Sequence, residues 1–407
     1  MIKFLHTADL HLGKVFHDQS LREDQQTMLN DIVRILEDDS YAALIIAGDV
    51  YDRSIPSPDA VELFGAFLGE VKSRNPSIEI IVIPGNHDSA SRLGFGRELF
   101  ARLGIHFAFS PGDCDKPVIV ERNGESCAFY LLPFLNPGVL EGEDTAGEGP
   151  MHLRAQAALA KEAGRRMKKA QAELSVQGAH YSVLVAHLFA SGGVEAGSER
   201  VFLGNAELVN ISLFKDFDYI ALGHLHRCQR IGEKAWYSGS PLTYSFGEAA
   251  EKFLLSVALN QGGAEVEKIP VKPLRKVTSL SGSFARFAGE TSDPELLAAK
   301  DDYLEIRLTD RGITENARDM LRKRFPQLLS LRQDEALAGL SSTLAARAQL
   351  SGEGRGADRR SVSADFRDFL TSLYGDTDAP NTSTDISAEI ELFDTLLAEV
   401  EAEEASL

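Results

Sequence analysis

The chain has 407 residues, 43% hydrophobic and 25% charged, with a formal net charge of −19. That length exceeds one ordinary core, so one large domain with one or two smaller pieces is expected, and the composition excludes a fibrous, disordered or membrane-embedded chain. The acidity excludes little about partners, because eleven acids and no Lys or Arg lie between Asp368 and Leu407, leaving the rest of the chain only mildly negative.

The start, Met1-Ile-Lys-Phe-Leu-His-Thr-Ala-Asp, lacks the apolar core of a signal peptide. The uncharged window from Leu174 to Val194 contains Gln177, His180 and His187, and reads as a buried strand and loop rather than a membrane span. Cys114, Cys127 and Cys228 are widely spaced, which fits reduced structural thiols in a cytoplasmic protein.

Ile2 to Leu5 is a short strand, and Thr7-Ala8-Asp9-Leu10-His11-Leu12-Gly13 follows at its carboxyl end. Leu21 to Leu36 has helical spacing. The next strand, Ala42 to Ala47, ends in Gly48-Asp49-Val50-Tyr51-Asp52-Arg53. Pro56 and Pro58 open a helix with Val61, Phe64, Phe67, Leu68 and Val71 on one face, and Ile78 to Ile83 is a third strand running into Pro84-Gly85-Asn86-His87-Asp88. Strands alternating with helices, each with polar residues at its exit, predict an α/β domain.

Short strands are expected at 105–109, 117–121 and 127–132, an acidic Gly-rich loop at 138–150 and a long helix at 153–174. Tyr181 to Ala186 is a strand ending at His187, and Asp218 to Leu222 another, ending at Gly223-His224-Leu225-His226. Residues 236–242 and 253–257 continue with strand character. Near Leu274 the pattern changes to a small α+β piece, with a strand at Tyr303 to Leu308 and a helix at 314–325. The expected organisation is a core at 1–273, a cap at 274–340, a linker at 341–360 and a helical tail at 361–407. The tail carries Ile386, Ile390, Phe393, Leu396, Leu397 and Val400 on one helix face.

The chemistry is expected where these strands end. Asp9, His11, Asp49, Asn86, His187, His224 and His226 each leave a different predicted strand exit or share one, and a parallel sheet gathers such exits along one edge. Oxygen and imidazole donors without thiolates suit manganese, iron or zinc, and seven donors exceed the needs of one ion. Two ions about 3.5–4 Å apart would share them, with Asp49 between. The expected division places Asp9, His11 and His226 on one ion, and Asn86, His187 and His224 on the other.

The residues resemble the calcineurin-like metallophosphoesterases, whose pattern D-x-H, G-D-x-x-D, G-N-H-[DE], His, G-H-x-H is complete over Met1 to Pro270. That resemblance implies a four-layered α/β sandwich with two mixed sheets and the same seven metal ligands. The stretches Thr7–Gly13, Gly85–Ala90 with Arg92-Leu93, Gly223–Arg227 and Gly239-Ser-Pro-Leu-Thr-Tyr-Ser-Phe-Gly-Glu248 look like one branch of that family, a DNA nuclease subunit partnered by an SMC-like ATPase.

The branch implies a metal-dependent DNA nuclease, with a cap that recognises DNA, a helical tail that binds the ATPase, a homodimer and no membrane contact. Two divalent ions, manganese before magnesium, are expected. His87 is the candidate general acid, Asp52 its orienting carboxylate, and Arg53, Arg92 and Arg227 candidate DNA contacts. The competing readings are a phosphoprotein or nucleotide phosphoesterase, since Gly48-Asp-Val-Tyr-Asp-Arg53 has the G-D-x-x-D-R form, and a DNA-end-tethering scaffold with a vestigial site.

Overall fold

A computed structural model describes residues 1–38, 40–108, 110–135, 156–176, 178–194, 208–289, 293–310, 316–333 and 393. The chain divides into two units, Met1–Thr278 and Ser279–Leu407.

The first unit holds two six-stranded sheets. In the first, Gly263–Pro270, Phe253–Asn260, Ile2–Thr7, Tyr41–Ala47, Glu79–Ile83 and Ile105–Phe107 lie side by side in that order. In the second, the order is Gln229–Ile231, Ala235–Tyr237, Tyr219–Gly223, Tyr181–His187, Glu125–Leu132 and Val118–Arg122. Tyr41–Ala47 is apolar without alternation and buried at every residue, as a strand covered on both faces must be.

Between the sheets lies a buried core, where Phe4, Ile45, Ile81 and Val257 of one meet Phe129, Val183, Tyr219 and Ala221 of the other. Phe4 sets its ring edge-on to both Phe129 and Tyr219, each centroid 5.5 Å away. His6 Nδ1 and the Tyr219 hydroxyl lie 3.0 Å apart across the same seam, a buried polar pin between the sheets. Helix Gln156–Val176 covers the outer face of the second sheet, burying Leu159, Ala163 and Met167 with Tyr130, Leu184 and Leu222. Helices Arg22–Ile35 and Pro58–Arg74 form the fourth layer over the first sheet, burying Met28, Leu29 and Ile32 from one and Phe64, Phe67 and Leu68 from the other. Ser57 starts the second of these, its side chain accepting from the Ala60 N–H ahead of Pro58.

The central strands of each sheet run parallel, Ile2–Thr7 with Tyr41–Ala47 and Glu79–Ile83, and Glu125–Leu132 with Tyr181–His187 and Tyr219–Gly223. Their carboxyl ends therefore open on one edge of each sheet. The strand expected over 236–242 stops at Tyr237. Gly239 has φ +75°, and a Cβ there would lie 2.6 Å from the His226 carbonyl oxygen, so Ser238–Leu242 is instead a loop pressed onto the His226 loop.

The second unit has one three-stranded sheet, Val277–Gly282, Tyr303–Leu308 and Leu328–Gln333, packed through Leu280, Leu304, Ile306 and Leu328 onto Phe287, Leu296, Leu321 and Phe325. The helix expected over 314–325 is Ala317–Arg322, and it joins a parallel strand pair. The loop expected at 138–150, the linker at 341–360 and, apart from Phe393, the tail at 361–407 lie outside the described residues. Among the described residues no helix is long and apolar enough to cross a membrane.

Candidate metal centre

Three loops of the first sheet are tied together before any side chain is considered. Asp9 N donates to the Gly48 carbonyl at 3.0 Å, His11 N to Asp49 at 3.0 Å, Leu12 N to Val50 at 2.9 Å, and Asp52 N returns to Leu12 at 3.1 Å. The Asp88 carboxylate then accepts the N–H groups of Val50, Tyr51 and Gly85 at 2.9–3.0 Å, binding the third loop to the second. Gln25, on the first helix, reaches the His11 carbonyl at 2.7 Å and accepts from Gly13 N at 3.1 Å.

This closeness strains the chain. Asp9, His11, Asp49 and His224 have φ of 54°, 43°, 48° and 111°, a region L-residues enter at a cost that clusters at functional sites. Glycine is required beside them. A Cβ on Gly85 would stand 2.2 Å from Asp49 Oδ1, and one on Gly48 2.1 Å from His187 Nδ1.

All seven strand-exit residues converge. Asp49 Oδ2 lies 3.8 Å from His11 Nε2 and 3.6 Å from His187 Nε2, spanning the two halves of the group. Its Oδ1 accepts the His87 N–H at 2.8 Å. The Asp9 carboxylate accepts the His224 N–H at 3.1 and 3.2 Å. Asn86 Oδ1 is 2.9 Å from His187 Nε2 and 3.1 Å from His224 Nδ1, and the Nε2 atoms of His11 and His226 are 3.1 Å apart. Ligand atoms of Asp9, His11 and His226 lie within 4.8 Å of one another, as do those of Asp9, Asp49 and His187.

The proton inventory calls for cations. Burial, reinforced by the neighbouring imidazoles, pulls His11 and His224 well below the usual histidine range, and burial takes His187 down to about 3. A neutral ring has one N–H. His187 Nδ1 donates its own to the Ala47 carbonyl at 2.9 Å, so Nε2 turns a lone pair onto the Asn86 oxygen. Two acceptors at that range repel unless a positive centre lies between them. His11 Nδ1 and His224 Nε2 are also buried without a hydrogen-bond partner. Imidazole, carboxylate and amide oxygen together are a donor set for borderline divalent ions.

A family model described as calcineurin-like phosphoesterase matches residues 2–228. The chain belongs to that family. The phosphoesterase is thus a hydrolase of phosphoester bonds, and the dimetal centre of its family is what the converging residues fit. A second model, SbcD_C, described as the type 5 capsule protein repressor C-terminal domain, matches residues 270–373, and the pair of matches supports an SbcD-type nuclease. Among solved structures, TT1561 of Thermus thermophilus is 14% identical, with 67% of this chain and 99% of that one covered and a TM-score of 0.37. A dimetal phosphatase from Danio rerio is 12% identical at the same coverages, with a TM-score of 0.41.

At the rim of the phosphoesterase centre, half-buried His87 sets its ring centroid 4.8 Å from that of His11. The expectation that the Asp52 carboxylate orients it is corrected: His87 Nδ1 meets the main-chain carbonyl of Asp52 at 2.8 Å. The carboxylate is engaged instead by Lys14 Nζ, 2.7 Å from its Oδ1, and that oxygen also stands 3.6 Å from His11 Nδ1. Arg53, Arg92 and Arg227 are exposed and stand outside the cluster. Sequence reasoning gave no role to Gln25, Asp88 or Glu248. Asp88 and Glu248 lie inside the motifs already quoted, which was the available signal.

Proposed function

We propose that the chain is the nuclease subunit of an SbcCD-type complex. It would degrade duplex DNA from 3′ ends and cut single strands and hairpins, in double-strand-break repair, recombination and replication at the nucleoid in the cytoplasm. The observation that carries this reading is a phosphoesterase core followed in the same chain by the SbcD_C match at 270–373. SbcC, the SMC-like ATPase, is the proposed regulator, docking on residues 361–407. A DNA-recognising cap at 274–340 and a homodimer complete the reading.

Asp9, His11 and His226 would hold one divalent ion and Asn86, His187 and His224 the other, with Asp49 shared. Bound there, two such ions, manganese by preference, acidify a water and screen the charge that gathers on a scissile phosphate. The protein's own part is positional and protonic. Asp49 fixes the His87 main chain, and the Asp52 carbonyl holds the Nδ1 proton of that ring. Nε2 is then the atom left to pass a proton to the leaving 3′ oxygen. Arg53, Arg92 and Arg227 are proposed to contact the DNA backbone around it.

Linear duplex labelled at either end, incubated with manganese or magnesium, with and without SbcC and ATP, tests the reading. Loss of label from 3′ ends, raised by SbcC and ATP, is expected. Hydrolysis of a phosphoprotein with no cleavage of any DNA would overturn it.

A further inference from the structure

Behind His226 lies a buried ion pair that the chemistry above does not use. The side chain of Glu248 is fully buried and that of Lys252 nearly so. Charges so placed persist only when paired and hydrogen-bonded. Glu248 Oε1 lies 3.1 Å from His226 Nδ1, while Oε2 lies 2.5 Å from Lys252 Nζ. The ammonium also donates to Ser240 Oγ at 2.9 Å and to the His226 carbonyl at 3.2 Å, which engages all three of its N–H groups. Lys252 therefore grips His226 twice, directly at its main chain and through Glu248 at its ring.

Lys252 immediately precedes strand Phe253–Asn260 of the first sheet, whereas His226 follows strand Tyr219–Gly223 of the second. The pair thus anchors a second-sheet ligand to the first sheet. In the other half of the centre, the hydrogen-bond partner of His187 Nδ1 is the neutral carbonyl of Ala47. A carboxylate behind an imidazole fixes its tautomer with Nε2 as the lone-pair atom and makes that atom a stronger donor than a carbonyl does.

We infer that Glu248, held by Lys252, is a positioning residue for His226 and makes the Asp9, His11 and His226 position the tighter of two unequal ion sites. The inference rests on the two-ion reading of the centre. Unequal sites fill in sequence, so substoichiometric manganese occupies this position first.

Calorimetric titration of metal-free, full-length protein with manganese tests it, with Glu248→Gln and Glu248→Ala beside the wild type. The wild type is expected to show two separate steps. Glu248→Gln retains an oxygen for the His226 N–H but no charge, and Glu248→Ala retains neither. The tighter step should weaken in the order Gln then Ala, by about 10–100-fold, with the weaker step unmoved. General loosening of the loop would weaken both steps together, and that result, or two unchanged steps, overturns the inference. Should Glu248→Ala not fold, the near-isosteric Glu248→Gln decides by the same criterion. A wild type that binds no second ion would instead overturn the two-ion reading, and the inference with it.

Discussion

His87 is oriented by the main chain of Asp52, its Nδ1 standing 2.8 Å from the carbonyl oxygen while the Asp52 carboxylate faces Lys14 at 2.7 Å. A main-chain partner survives substitution of the side chain. Asp52→Asn should therefore leave the His87 ring in place and cost far less activity than His87→Gln. Removing a general acid is expected to slow hydrolysis by about 10²–10⁴-fold while both ions stay bound. Turnover of one phosphodiester together with metal analysis of each variant checks this, and a His87→Gln protein emptied of ions would sink the assignment.

Manganese should support more activity than magnesium at matched concentration. Four of the seven converging donors are imidazoles, and magnesium prefers oxygen ligands and keeps its water. Asp49→Asn should lose bound metal as well as activity, because its Oδ2 stands within 4 Å of both His11 and His187. Equal or greater rates in magnesium would count against the centre drawn here.

Acid should destabilise the metal-free protein through its buried neutral histidines. Burial lowers His6 from 6.5 to about 3, so the unfolded chain takes up that proton first. The neutral ring's contribution is fully present above the unfolded value and is lost as pH falls from there towards the folded one. The loss from such a group is about 1.4 kcal/mol per pH unit. His6→Gln should therefore flatten the dependence of urea stability on pH by about one proton between roughly pH 6 and 4. An unchanged slope would mean that His6 is protonated in the fold.

Deleting residues 361–407 is expected to abolish co-purification with SbcC and ATP-dependent duplex cleavage, while metal-dependent hydrolysis of a small phosphodiester persists. A truncated chain that binds SbcC with undiminished affinity would remove the tail from the interface.

The edge on which the site stands was readable because a parallel strand must end in a loop, and the polar residues of the motifs all stand at or just past such ends. Asp9, His11, Asp49, Asn86, His187, His224 and His226 were all marked by that rule. Partners on the main chain leave no such trace, which is why the Asp52 carbonyl was mistaken for its carboxylate. Glu248 escaped for another reason: it meets His226 across 22 residues of chain, and no periodicity links them. The Trp236 to Leu242 run was read as a strand because the conformation of Gly239 is set by a neighbouring loop and not by its own sequence. In the second unit, strand Leu328–Gln333 lacks the apolar-polar alternation that marked Tyr303–Leu308.

Asp9, His11, Asp49 and Asn86 leave the first sheet, while His187, His224 and His226 leave the second. The centre is a seam, and neither half exists as a pocket on its own. During refolding the sheets must dock, with His6 against Tyr219, before a divalent ion finds more than a few of its donors. Interactions absent from the folding barrier act on the way out rather than on the way in. Ions should then leave the refolding rate nearly unchanged and lengthen the half-life of the folded chain, serving as a clasp on a finished sandwich and not as a template for building it.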